Sequence, residues 1–251
     1  MSRPFVKMHG CGNDFIVIDG PLELSSARAR ALCDRRTGIG ADGIIVIAPG
    51  QSSRHAVVVH NADGSIADAC GNGYRCAARY LLDHSGGESC ELETPVGAVS
   101  ARRDPAGIAL DLAAPELGDA LALELGGLAL SARRVRAGNP NVVVFVDDVA
   151  ATDLPALARL ARERAGPANV EAVAVRSRSE LELRVEERGV GETLACGSGA
   201  IGAVAVGLAQ GVIAGDEIRV HCAGGTLAVR PGPEHYTLIG PAEYVFEGSF
   251  G

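Results

Sequence analysis

Residues 61–76 read NADGSIADACGNGYRC, and residues 187–200 read ERGVGETLACGSGA. Each stretch holds a cysteine followed by Gly-x-Gly: Cys70-Gly71-Asn72-Gly73 in the first and Cys196-Gly197-Ser198-Gly199 in the second. The two cysteines are 126 residues apart in a chain of 251, so each holds a similar place in its own half. A second pair of anchors shares that offset. Gly12-Asn13 precedes the apolar run FIVID (15–19), and Gly138-Asn139 precedes VVVFVD (142–147). Two unrelated anchors with one offset point to internal duplication, each half a strand-rich unit wrapped around one apolar helix that starts just after a cysteine.

Outward from these anchors, the chain reads as alternating strands and helices. FIVID is a short buried strand entered through the loop 9–14. Residues 25–36 form an amphipathic helix with serines placed as N-caps, followed by a Gly-rich turn at 37–43. Strands at 44–48 and 56–60 lead into the first cysteine stretch, and 72–82 has helical composition. Gly-punctuated strands follow at 89–94, 98–103 and 107–112, and 113–118, with Pro115, reads as a domain boundary. The pattern then begins again. Strands near 121–124 and 129–135 precede VVVFVD, and 152–165 is an amphipathic helix with Gly166 placed to end it. Strands are expected at 170–175 and 181–186, the latter strictly alternating. Residues 200–209 carry no polar side chain at all, so this helix is read as buried all round. The tail is strand-like at 217–222, 226–230, 236–239 and 243–246.

Bulk composition bounds the function. With 47% hydrophobic and 22% charged residues the chain folds rather than staying disordered. A net charge of −8 with scattered arginines disfavours nucleic acid and anionic membrane surfaces. No apolar run reads as a signal sequence or a membrane span, which makes the cytoplasm the default location. Seven cysteines without a C-x-x-C pair suggest neither a disulfide framework nor a zinc knuckle, so no metal is expected. Lys7 is the only lysine and lies outside any cofactor motif, which sets aside a Schiff-base cofactor. The expected partner is a small molecule, and the expected assembly a homodimer.

A cysteine just before a Gly-rich helix start sits where backbone N–H groups and the positive end of the helix dipole favour a thiolate. The same N–H groups can hold a carboxylate, because glycines admit a ligand close to the backbone. Two such ends facing one another would place an α-amino acid between two sulfurs. One thiolate would remove the α-proton and the other thiol would return a proton to the opposite face, giving racemisation or epimerisation without a cofactor. The plain alternative is a pair of inert core cysteines.

With these residues in hand, the sequence resembles the diaminopimelate epimerases, pyridoxal-independent enzymes that interconvert LL- and meso-diaminopimelate. HGCGNDFIVID, GIGADG, NADGSIADACGNGYRC, GNPN and ERGVGETLACGSGA carry the resemblance along nearly the whole chain. It implies an α/β fold of two pseudo-symmetric domains, each a β-barrel-like sheet around a central buried helix, with the active site in the cleft between them. The expected domains are 1–115, with the last strand at about 240–251 returning to it, and 116–239. Carried over by position, Cys70 and Cys196 are the acid/base pair. Gly71, Asn72, Gly197 and Ser198 would bind the reacting carboxylate through backbone N–H groups. Asn13, Asn61, Asn139, Asn169, Glu187 and Arg188 would bind the rest of the substrate, Arg188 as a bidentate clamp on a second carboxylate. The chain departs from the family pattern twice: Asn141 stands where a histidine is common, and Gly43 where many members carry glutamine. Asparagine cannot take up a proton at neutral pH, so a racemase of a single amino acid such as histidine or proline stays in play, as does a silent amino-acid-binding relative.

Overall fold

The protein is described by a computed structural model for residues 2–52 and 54–251, in which two units separate: residues 1–111 with 239–251, and residues 112–238. In the first, β1 (Arg3–Gly10) turns through Cys11 and Gly12, both with positive φ (52° and 81°), into β2 (Asn13–Asp19). Positive φ at both central residues is the geometry that matches the twist of paired strands. Sequence reading passed over β1 because Lys7 interrupts its apolar positions. α1 (Ser26–Cys33) is capped by the Ser25 side chain and crosses to β3 (Gly43–Pro49), parallel to β2. The helix stops at Cys33 rather than running to residue 36. There the Asp34 carboxylate accepts from the N–H groups of Arg36 and Thr37 and from the Thr37 hydroxyl, which gives the backbone a turn in place of further helix.

β3 returns antiparallel as β4 (His55–Asn61), with Gly43 opposite Asn61. α2 (Gly71–Ser85) then crosses to β5 (Ser89–Thr94), parallel to β4, and β6 (Gly97–Asp104) and β7 (Gly107–Ala113) follow antiparallel. Gly86, at φ 70°, ends α2 with its N–H on the Leu82 carbonyl. α2 packs on β1 through β6, so the sheet wraps it and buries Asn72 to Ala78 almost without a break. Ile16, Ile18, Ile44 and Val46 form a second cluster with Ala29 and Leu32 of α1. These strands are therefore apolar on both faces, which explains their unbroken hydrophobic runs.

The second unit repeats this plan. β8 (Glu116–Leu125), β9 (Leu128–Ala137) and β10 (Asn139–Phe145) pair antiparallel in turn. α3 (Leu154–Ala165), capped by Asp153, crosses to β11 (Asn169–Ser177), parallel to β10, and β12 (Glu180–Glu187) returns antiparallel. A three-residue strand unforeseen in the sequence, β13 (Gly191–Thr193), folds back on β12 before α4 (Gly197–Ala209) crosses to β14 (Ile218–Cys222), parallel to β12. β15 (Gly225–Arg230), β16 (His235–Gly240) and β17 (Glu243–Phe250) complete the chain, and β17 pairs antiparallel with β1 in the first unit. β7 runs to Ala113 and β8 starts at Glu116, so two residues separate these strands.

The duplication holds at the level of register. β2 and β10, β3 and β11, and α2 and α4 begin 126 residues apart, and β4 and β12 end 126 apart. Phe15 lies opposite Gly43, and the residues 126 further on, Asn141 and Asn169, lie opposite one another. The same parallel and antiparallel alternation recurs in both units.

Candidate active site

Each cysteine caps its helix. The Cys70 sulfur accepts from the Gly73 N–H at 3.4 Å and the Cys196 sulfur from the Gly199 N–H at 3.4 Å. The α-helical ladder starts one residue later, at Tyr74 N–H to Cys70 C=O and at Ala200 N–H to Cys196 C=O. That leaves the N–H groups of Gly71 and Asn72, and of Gly197 and Ser198, ahead of the ladder, at the positive end of each helix. Two half-sites of one design result.

Around Cys70, the side chain of Asn72 donates to Asn13 Oδ1 at 3.2 Å, and Asn13 donates to Asp42 Oδ2 at 2.9 Å. Arg75, wholly buried, donates through Nη2 to Asn72 Oδ1 at 2.8 Å and so fixes which way that amide faces. Asp42 is held by Arg35, which also bridges to Asp14, and Asp14 pairs with the buried Lys7 at 2.6 Å. Arg35 and Lys7 hold the Asp14 carboxyl far below the usual carboxylate range, outweighing its burial. The lone lysine is thus a structural cation. Asn61, opposite Gly43, donates its amide to Ser65 Oγ at 2.9 Å within its own turn. Gly43 offers no polar contact, and a Cβ there would stand 2.6 Å from the His60 carbonyl.

Around Cys196 the network reaches the sulfur through side chains. Its sulfur lies 3.3 Å from Ser198 Oγ and 3.9 Å from Asn169 Nδ2. Asn141, 2% exposed, donates to the Asn139 carbonyl at 2.7 Å, and its Oδ1 accepts from Asn169 at 3.3 Å and from Ser198 at 3.2 Å. Asn139 Nδ2 reaches Ser198 Oγ at 3.5 Å, the counterpart of the Asn72–Asn13 contact with donor and acceptor exchanged. Asn169 Oδ1 accepts the backbone N–H of Arg188 at 2.9 Å, which ties the start of the Arg188 loop to the cysteine. Glu187 accepts the Thr193 hydroxyl at 2.6 Å. Burial pushes the Cys196 thiol well above its ordinary range, with Glu187 and Glu171 adding to the effect and the Ser198 and Gly199 hydrogen bonds opposing it.

Of the sequence-predicted residues, the structure gathers Asn13, Gly71 and Asn72 at Cys70, and Asn139, Asn169, Gly197, Ser198 and the Arg188 backbone at Cys196. Three participants are not among the residues the sequence singles out: the buried Arg75 and Glu171 and the exposed Asp42. The signal for Glu171 is a lone acid in the otherwise apolar run VEAVAV (170–175).

The diaminopimelate epimerase family model matches residues 5–111 and 134–245. The chain belongs to the diaminopimelate epimerase family. Among curated members, the diaminopimelate epimerase of Moorella thermoacetica is 36% identical over 275 residues, covering 98% of each chain. That of Cupriavidus necator is 38% identical over 285 residues, covering 99% of this chain and 97% of the relative. Solved structures share the fold at lower identity. A hydroxyproline epimerase from Agrobacterium vitis superposes with a TM-score of 0.76 at 15% identity, covering 99% of this chain and 92% of that one. A PhzF-family phenazine biosynthesis protein from Bacillus anthracis gives 0.74 at 15%, covering 100% and 99%. The family establishes an isomerase with diaminopimelate epimerase activity. Among the described residues no helix is long and apolar enough to cross a membrane.

Proposed function

We propose that Cys70 and Cys196 are the acid/base pair of this epimerase, interconverting LL- and meso-diaminopimelate without a cofactor. The observation that carries the reading is the matched pair of caps, each a sulfur on the third N–H of a Gly-rich helix start and 126 residues apart. One cysteine, as thiolate, takes the α-proton; the other, as thiol, gives a proton to the opposite face of the α-carbon. In the reverse direction the roles exchange. Negative charge builds on the carboxylate as the α-proton leaves, and the N–H groups of Gly71, Asn72, Gly197 and Ser198 answer it. Asn13, Asn61, Asn139, Asn169 and Glu187 hold the remaining polar groups, with Glu187 suited to an ammonium. Arg188 clamps the second carboxylate, which a diaminopimelate site needs and a simple amino-acid site does not.

Incubation with LL-diaminopimelate in D2O, with no cofactor added, should show α-hydrogen exchange by NMR. Cys70→Ala and Cys196→Ala should each lower turnover by at least about 10²-fold, the scale of a lost general acid or base, with the circular dichroism unchanged. Near-normal turnover in either variant would refute the pair. We also place the enzyme in the cytoplasm, supported by seven cysteines of which none is in a disulfide, and as a homodimer, supported by the exposed Tyr244, Val245 and Phe246 on β17. Sedimentation at micromolar concentration checks the assembly.

A further inference from the structure

Position 171 breaks the internal repeat. Its counterpart 126 residues earlier is Ile45, whose Cδ1 lies 3.5 Å from where a Cβ on Gly73 would stand. Glu171 makes the same approach in the other half, with Oε1 2.7 Å and Cγ 2.9 Å from the corresponding point on Gly199. A carboxyl therefore packs beneath the first turn of α4, against the residue whose N–H holds the Cys196 sulfur. Glu171 is completely buried, and neither carboxyl oxygen has a hydrogen-bond partner. The backbone N–H groups of Glu171 itself and of Val142 favour its charged form, but burial and the Glu187 charge outweigh them, and neither completes a hydrogen bond to it.

We propose that Glu171 is a positioning residue that fixes the resting proton of the acid/base pair on Cys196. The inference rests on the two-thiol reading above and adds what decides between the two sulfurs. The ionisable groups facing this carboxyl are Cys196 from α4, Glu187 from the end of β12, and Arg162 from α3. Glu187 opposes a charge on Glu171. Arg162 gives little relief, because its guanidinium is committed to Glu186 at 2.7 Å from Oε1 and 2.9 Å from the backbone carbonyl. Burial, then Glu187, holds Glu171 protonated well above the usual carboxylate range. Two negative charges cannot share this dry pocket cheaply. As pH rises the carboxyl, the stronger acid, ionises first, and its charge then holds the proton on the thiol. Beneath Cys70 the counterpart is apolar Ile45, so no buried carboxyl opposes a thiolate there. In the same half the buried cation Arg75 lies one turn into α2, where the other half has Ile201. The duplicated caps thus sit over opposite electrostatic floors.

The test measures alkylation of the unliganded protein by iodoacetamide across pH, with each cysteine followed by peptide mass spectrometry. It does not depend on turnover, so it separates failure of this inference from failure of the two-thiol reading. Glu171→Gln should move the Cys196 midpoint down by about one pH unit, roughly a tenfold gain in thiolate below the midpoint, while the Cys70 profile stays put. Glu171→Asp, which keeps the charge, should retain the wild-type midpoint. A Gln profile that overlays wild type overturns the proposal. Should the variants not fold, infrared spectroscopy of wild-type protein carrying 13C-labelled glutamate decides. The carbonyl stretch of the un-ionised carboxylic acid should vanish at a pH below the Cys196 alkylation midpoint, and its persistence through that midpoint overturns the proposal.

Discussion

Replacing Gly199 by alanine puts the buried carboxyl under direct steric load. The new Cβ would lie 2.7 Å from Glu171 Oε1, 2.9 Å from Cγ and 3.1 Å from Cδ, inside any normal contact. The side chain has nowhere to go, since Glu171 is 0% exposed. Overpacking of this kind costs about 1–3 kcal/mol, against a gain of up to about 1 kcal/mol for alanine over glycine in a helix. The repeat supplies its own control. At Gly73 the same substitution meets Cys70 Sγ and Val59 Cγ2 at 3.2 Å and Ile45 Cδ1 at 3.5 Å, which neighbours can yield by a few tenths of an ångström. Gly199→Ala should therefore be less stable than Gly73→Ala by about 1–2 kcal/mol in urea denaturation. Glu171→Ala removes all three offending atoms, so combining it with Gly199→Ala should recover at least about 1 kcal/mol relative to additivity. If the two glycine variants are equally stable, or the cycle is additive, the carboxyl is not where this reasoning puts it.

Glu171→Gln should also change how stability depends on pH. Folding raises the carboxyl's proton affinity, so its contribution is fully present below the unfolded value near 4.3 and is lost as pH rises toward the folded value. Wild type should lose about 1.4 kcal/mol per pH unit from this source above that point while the group remains protonated; the Gln variant should lack the slope, as urea midpoints from pH 4 to 7 would show. Lys7→Met leaves Asp14 buried with Arg35 as its remaining cation, and should cost about 3 kcal/mol; a loss under about 1 kcal/mol by the same measurement counts against a structural role. Asn141→Leu strips an acceptor from Ser198 and Asn169 and a donor from the Asn139 carbonyl. It should cost about 1–3 kcal/mol and lower kcat, and unchanged thermal stability and kcat would contradict the network.

The sequence exposed the repeat, the two cysteine caps and most of the strands because these depend on local signals: glycine at the helix start, apolar runs, and an offset that two anchors share. What stayed hidden depends on long-range pairing. β1 was missed because its buried lysine makes sense only beside Asp14 of the next strand. Helix α1 was drawn three residues too long because its stop comes from the Asp34 side chain rather than from glycine or proline. The partners of Asn72 and Asn141 follow from register, which composition does not report. Glu171 could have been flagged as an acid in an apolar strand, but only the fold places it under Gly199.

Duplication alone leaves one feature of a two-base reaction undecided, namely which sulfur holds the proton at rest. Proton removal on one face and delivery on the other need one thiolate and one thiol, whereas two identical halves would give two sulfurs of equal acidity and no preferred form. The repeat supplies the matched geometry, with sulfur on the third N–H at both helix starts. The departures from the repeat supply the difference: Ile45 against Glu171, Arg75 against Ile201, Phe15 against Asn141 and Asn72 against Ser198. Each exchange that is charged moves the balance in the same direction, toward negative charge in the first half and a held proton in the second. On the proposed reading, the buried carboxyl two residues beyond Asn169 sets which thiol holds the proton in the unliganded enzyme, and turnover then exchanges the roles.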